Sequence, residues 1–126
     1  MNNLWAIVLA AGSSTRMKRQ KLLMPFNGKT MVEEVILNAK KVVNQNIVVV
    51  LGADHYEISD QISKLPVATC LNKDYKKGML SSVICGFRAL PEDAKAVLVF
   101  LGDQPQIPSS VAELVIRGWE KSDRSI

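Results

Sequence analysis

Residues 4–21 read Leu4-Trp5-Ala6-Ile7-Val8-Leu9-Ala10-Ala11-Gly12-Ser13-Ser14-Thr15-Arg16-Met17-Lys18-Arg19-Gln20-Lys21. The run from Leu4 to Ala10 is apolar without polar alternation, the pattern of a strand buried on both faces. It ends in small residues and passes into a polar, strongly basic loop. Small side chains let a ligand approach the main chain closely. Arg16 can fork onto phosphate oxygens, and Lys21 can act on them as a point charge. Open α/β sheets bind ligands at the carboxyl ends of their strands, and this loop sits at such an end. An anion that must lie against main chain, such as a nucleoside triphosphate, suits it. The glycine spacing is neither the Walker nor the dinucleotide-binding one. A solvated basic loop is the plain alternative.

Outward from this stretch, strand and helix patterns alternate. Met31, Val32, Val35, Ile36, Ala39 and Val43 recur at three- and four-residue spacing and predict a helix over 31–43. Residues 47–51 form a second apolar run, closed by Gly52. Asp54 is expected to cap a short helix that ends near Ser63. Residues 67–71 form a third, weaker strand, and residues 79–90 a helix stopped before Pro91. A fourth strand spans 96–101. Ser109 or Ser110 then opens a helix over 111–119. This order predicts an α/β fold, a parallel sheet with helices on both faces. No repeat or linker divides the chain, so a single domain over 1–126 is expected.

Composition narrows the classes. Of 126 residues, 48% are hydrophobic, which excludes a disordered polymer. The net charge of +4 suits an anionic small molecule or nucleic acid. Aromatics at 6%, with no stacking platform and no basic stripe, argue against nucleic acid. Cys70 and Cys85 match no zinc spacing and read as reduced thiols on buried elements. No signal-type segment and no membrane-length apolar run is visible, so a cytoplasmic protein is expected, with no membrane partner. His55 reads as a surface residue, and Trp5, Phe100 and Trp119 as packing residues. The Lys40-Lys41 and Lys76-Lys77 pairs read as solvated ends.

Two more loops at strand ends carry polar chemistry. In 72–82, Gly78 breaks the chain before a helix with Ser81 and Ser82 in its first turn. These can hold a ribose, base edge or phosphate, or simply cap the helix. In Gly102-Asp103-Gln104-Pro105, the aspartate is placed to ligate magnesium, which uses one or two carboxylates plus substrate phosphates. An ordinary turn aspartate is the alternative. The three loops share one edge of one sheet, and that favours the functional reading.

On these residues the chain resembles a known family. Leu9-Ala10-Ala11-Gly12-x-Ser14-x-Arg16-Met17 followed by Lys21-Leu22-Leu23 is similar to the signature of nucleotidyltransferases with a Rossmann-like fold. Leu101-Gly102-Asp103-Gln104-Pro105 and Asn72-x-x-Tyr75-x-x-Gly78-Met79-x-Ser81-Ser82 resemble the molybdenum-cofactor branch, the MobA-like NTP transferases. The resemblance implies a nucleotide-diphospho-sugar transferase-like fold. It implies transfer of a nucleotidyl group from an NTP to a phosphorylated acceptor, with release of pyrophosphate. Leu9, Ala10, Ala11 and Gly12 would bind the nucleotide, the last three against base and ribose. Arg16 and Lys21 would hold the triphosphate and act catalytically, Ser81 and Ser82 would hold the nucleoside, and Asp103 would bind Mg2+. The Leu-Ala-Ala-Gly form is similar to the cytidylyl members, so CTP is expected first and GTP second. The acceptor would be molybdopterin, with a molybdoenzyme apoprotein as a further partner. A sugar phosphate or other phosphorylated metabolite is the alternative acceptor. A non-catalytic nucleotide-binding accessory protein of metalloenzyme maturation is the alternative class. Lys18 stands where the family usually has glycine. The resemblance also implies that the family's C-terminal part, with a second acidic metal ligand and much of the acceptor pocket, is lacking. An open sheet edge would then need cover, for example in an oligomer.

Overall fold

The computed structural model describes residues 4–12, 21–92 and 94–102; of Lys21 it describes the backbone only. Strand β1 spans Leu4–Ala10, β4 Ile47–Leu51, β5 Ala68–Leu71 and β6 Ala96–Leu101. They form one parallel sheet in the order β5-β4-β1-β6. β1 lies inside it, with Val8 opposite Val49 on one side and Phe100 on the other. Strands buried on both faces carry apolar side chains at successive positions, as Ile47-Val48-Val49-Val50-Leu51 does, with every residue buried.

The two faces are covered by different helices. Helix α1 (Met31–Val43) packs Val32, Val35, Ile36, Ala39 and Val43 against Ala6, Val8 and Ala10 of β1. Helix α2 (His55–Gln61) contributes Ile58 to the same layer. Helix α3 (Met79–Ala89) covers the opposite face, where Ile7, Leu9, Ala11 and Val50 meet Val83 and Cys85. Gly86 lets this helix sit close: a Cβ there would stand 2.8 Å from Ile7 Cγ2 and 3.1 Å from Val50 Cγ2. The outward side of α3 leaves Leu80 70% exposed, and Val99 of β6 is 44% exposed.

Some boundaries and roles differ from the sequence expectation. The third strand starts at Ala68 and α2 stops at Gln61, because short elements fray at their ends. Asp54 occupies the position before α2, but its backbone is left-handed and its side chain makes no capping bond. Cys70 and Cys85 are half-buried rather than core residues, and both are free thiols. The expected helix over 111–119 lies outside the described residues. A hairpin went unforeseen: β2 (Pro25–Phe26) pairs antiparallel with β3 (Lys29–Thr30). Its tip, Asn27-Gly28, has positive φ at both residues, as the two-residue turn with the twist of a hairpin requires.

Thr30 leads from that hairpin into α1 through a reciprocal cap. The Glu33 N–H donates to Thr30 Oγ1 at 3.3 Å, and the Thr30 N–H donates to Glu33 Oε1 at 3.0 Å. The Thr30 hydroxyl and the Gln61 amide also donate to Oε1, so the same carboxylate ties α1 to α2. Burial is the largest single influence on Glu33 and pushes its pKa up. The hydrogen bonds from Thr30 and Gln61 and the charge of Lys29 together outweigh it, so the pKa ends below the ordinary value. A depressed carboxyl contributes stability above its unfolded pKa and loses it as pH falls through the folded one. The stability gap between wild type and Glu33→Gln should therefore close on acidification through the carboxylate range. Thr30→Ala should cost about 0.5–2 kcal/mol. Urea melts at stepped pH test both, and a gap that widens in acid contradicts the first.

Candidate nucleotide site

All four sheet strands are parallel, so the turns that follow them gather at one edge. Glycine lets these turns touch. The Ala53 N–H donates to the Ala11 carbonyl at 3.2 Å, and the Gly102 N–H donates to the Leu9 carbonyl at 2.9 Å. A Cβ on Gly52 would stand 2.7 Å from Ala11 O and 2.7 Å from Tyr75 Cβ; one on Gly102 would stand 2.7 Å from Leu9 O. The end of β1 is thus clasped by the ends of β4 and β6 and by the segment that follows β5.

The expected nucleotide residues of β1 divide into two kinds. Leu9, Ala10 and Ala11 are buried, with their side chains in the two core layers. They shape the floor and hold the strand end in place. Gly12 is exposed, and among the described residues nothing lies within 4 Å of where its Cβ would stand.

The 72–82 segment is built around a residue that the sequence reading quoted but gave no role. Asn72 is buried at 6% exposure. Its Oδ1 accepts the Asp74 N–H at 3.0 Å. That backbone donor fixes the orientation of the amide, so Nδ2 points at the two serines. It donates to Ser81 Oγ and Ser82 Oγ, each at 3.0 Å. Ser82 is buried, whereas Ser81 is half-buried. The Ser81 hydroxyl also reaches the carbonyls of Gly78 at 2.7 Å and Asp74 at 3.1 Å. The serines do not cap α3: Gly78 holds the cap position with no side-chain bond. Its φ of 109° is a conformation reserved in practice for glycine. Tyr75 anchors the segment by packing with Ile7, Leu9, Ala11 and Val50.

On the far side, Leu22 is buried and lies 3.0 Å from where a Gly102 Cβ would stand. It sits in a short 3-10 turn, Lys21–Leu23. Arg16, the Lys21 side chain and Asp103 lie outside the described residues. Among the described residues no group of three or more His, Cys, Asp or Glu is placed to hold a metal ion. No described helix is long and apolar enough to cross a membrane. His55 opens α2, half-buried, with Nδ1 3.1 Å from the Gly52 carbonyl and its ring against Tyr56. Lys76 and Lys77 are exposed, as expected; Lys77 lies 4.0 Å from Asp74, a solvated pair of little energetic weight.

Known proteins share this arrangement. A nucleotidyl transferase from Methanothermobacter thermautotroptrophicus, Mth528, superposes with a TM-score of 0.80 at 25% identity, over 93% of this chain and 58% of that one. The Rv0371c homologue from Mycobacterium sp. strain JC1 superposes at 0.85 and 26% identity, over 96% of this chain and 61% of that one. In sequence the chain is 36% identical over 119 residues to the bifunctional protein GlmU of Mycolicibacterium paratuberculosis, which covers 86% of this chain. The chain spans about a quarter of that relative's length (24%). The parallel sheet with helices on both faces is thus the fold of known nucleotidyltransferases. The profile of the MobA-like NTP transferase domain matches residues 6–126, a span that includes residues of all four strands of the sheet, and the chain belongs to that family.

Proposed function

We propose that this chain carries the nucleotide side of a nucleotidyltransferase that moves a nucleotidyl group from an NTP to a phosphorylated acceptor and releases pyrophosphate. The observation that carries the reading is Gly12: an exposed glycine at the end of a buried strand, at the sheet edge where the parallel strands end. Base and ribose lie against the main chain at Gly12, on the floor made by Leu9, Ala10 and Ala11. Ser81 and Ser82, oriented by Asn72, hold the nucleoside. Arg16 and Lys21 bind the triphosphate and stabilise the charge that builds on the leaving pyrophosphate. Such transfers ask the protein chiefly for positioning and electrostatic stabilisation. Asp103, next to the clasped Gly102, offers a carboxylate to Mg2+, and phosphate oxygens complete its coordination. When bound, that ion neutralises charge on the triphosphate.

CTP is the first nucleotide by this reading and GTP the second, on the Leu9-Ala10-Ala11-Gly12 strand end. The MobA-like membership supports a molybdopterin-type acceptor. Sugar phosphates are the second acceptor class, because none of the described residues discriminates between the two.

Calorimetric titration with Mg2+ and each nucleotide tests the first half. CTP should bind more tightly than GTP. Lys21→Ala should weaken CTP tenfold or more, since a charge-assisted contact contributes about 1.5–3 kcal/mol. Lys18→Ala should change little. Equal damage from Lys18→Ala, with none from Lys21→Ala, contradicts the assignment. Pyrophosphate release on adding molybdopterin or a sugar phosphate to the full-length protein tests the second half. Nucleotide binding without pyrophosphate release from either acceptor marks an accessory binding protein instead.

A further inference from the structure

The two cysteines of the chain, far apart in sequence, face each other across the β5–α3 contact. Cys85 Sγ lies 3.6 Å from Cys70 Sγ and 3.7 Å from the Leu71 carbonyl; Cys70 Sγ lies 4.0 Å from the Cys85 carbonyl. Both are half-buried free thiols, and the chain has no other cysteine to compete for either. We propose that Cys70 and Cys85 form a modification site, a dithiol that a low-molecular-weight disulfide closes into an intramolecular bond, and that closure displaces the Asn72–Ser81–Ser82 cluster. The link to nucleotide affinity rests on the function proposed above.

Position makes the coupling. Cys70 precedes Asn72 by two residues, and Cys85 follows Ser81 and Ser82 by one helical turn. The thiols therefore span the same two elements that the Asn72 amide joins. A disulfide bond is about 2.05 Å long, well short of the present 3.6 Å. Part of the difference is taken up by side-chain rotation and the rest by movement of one element. The helix has little room to move towards the sheet, because at Gly86, next to Cys85, it already lies so close that a Cβ would meet Ile7 and Val50. β5 can move, because among the described strands it pairs only with β4. Asn72 moves with it.

The chemistry balances with a disulfide such as oxidised glutathione as oxidant. Burial, and then the neighbouring Cys85 sulfur, push the Cys70 thiol up to about 12. Cys70 therefore keeps its proton at neutral pH, and the opening attack falls to Cys85. Cys85 Sγ attacks one glutathione sulfur, the glutathione disulfide breaks, and one glutathione leaves with the Cys85 proton. Cys70 Sγ then attacks Cys85 Sγ, the mixed disulfide breaks, and the second glutathione leaves with the Cys70 proton. The protein loses two electrons and two protons, and the oxidant becomes two thiols.

The test treats the folded protein with oxidised glutathione and reads three signals. Intact mass should fall by two hydrogens, and Cys70→Ser should instead trap the glutathione adduct on Cys85. The Asn72 side-chain amide resonances should shift between reduced and closed protein. CTP should bind about fivefold more weakly, the equivalent of one ordinary hydrogen bond. A wild-type protein that stops at the glutathione adduct overturns the disulfide. Closure with unmoved Asn72 resonances overturns the coupling. A reduced protein that binds no nucleotide counts against the proposed function alone, because the mass and resonance signals still decide the disulfide.

Discussion

Gly52→Val should leave little folded protein, and Gly52→Ala should lower stability by about 1–3 kcal/mol, the usual cost of overpacking. The added Cβ would stand 2.7 Å from the Ala11 carbonyl oxygen, 2.7 Å from Tyr75 Cβ and 2.8 Å from Ala11 Cβ. None of these atoms is the free end of a flexible side chain, so the main chain itself must move. It must move where β1, β4 and the segment after β5 meet, and nucleotide affinity should fall with stability. Gly12→Ala is the contrast. Among the described residues nothing crowds its Cβ, so its melting temperature should stay near wild type while CTP affinity drops. Thermal melts paired with calorimetry separate the two. Loss of both properties in Gly12→Ala would remove Gly12 from the ligand surface and make it a structural glycine.

Asn72→Ala has the next largest expected effect. It removes a buried amide and its three hydrogen bonds and leaves the Asp74 N–H and the Ser82 hydroxyl to find new partners, whereas Ser81 keeps the Gly78 and Asp74 carbonyls. An unsatisfied buried polar group costs about 1–3 kcal/mol, and a cavity adds to that. The effect should be non-additive with Ser82→Ala, because the two share one bond. In the double variant the orphaned Ser82 hydroxyl is gone, so it should lose less stability than the sum of the single variants. Urea melts of the four proteins measure this. Strict additivity would mean that the Asn72–Ser82 bond carries no energy.

The sheet was legible because its strands are buried on both faces, which writes them as continuous apolar runs. Residues 4–10, 47–51 and 96–101 match the expected strands residue for residue, and 31–43 matches the expected helix. The hairpin was missed although Asn27-Gly28 is a strong turn signal. Two-residue strands leave no alternation to read. The Thr30-x-x-Glu33 spacing was present too, yet a cap is convincing only once the helix start is known. Asn72 was harder. A polar residue just past a strand reads as exposed, and only the clasp of Gly52 on Ala11 and the anchoring of Tyr75 put it inside. The cysteines erred the other way: Cys70 lies on an apolar segment, but β5 is at an edge of the described sheet, so its burial is partial. Arg16, Asp103 and the Lys21 side chain remain a reading of sequence, because the stretches that carry them lie outside the described residues.

The interior place of β1 also bears on how the chain comes off the ribosome. Of the described strands, β1 comes earliest in the sequence and waits longest for its second partner. Leu4–Ala10 can pair with β4 once residue 51 has emerged, but its other edge waits for Ala96–Leu101. Synthesis proceeds at roughly 5–20 residues per second, so the wait lasts seconds. Through that interval an apolar strand has one row of backbone donors and acceptors open to any neighbouring nascent chain. Slowing translation between the codons for residues 52 and 95 should therefore lower the soluble yield more than the same delay placed after residue 102.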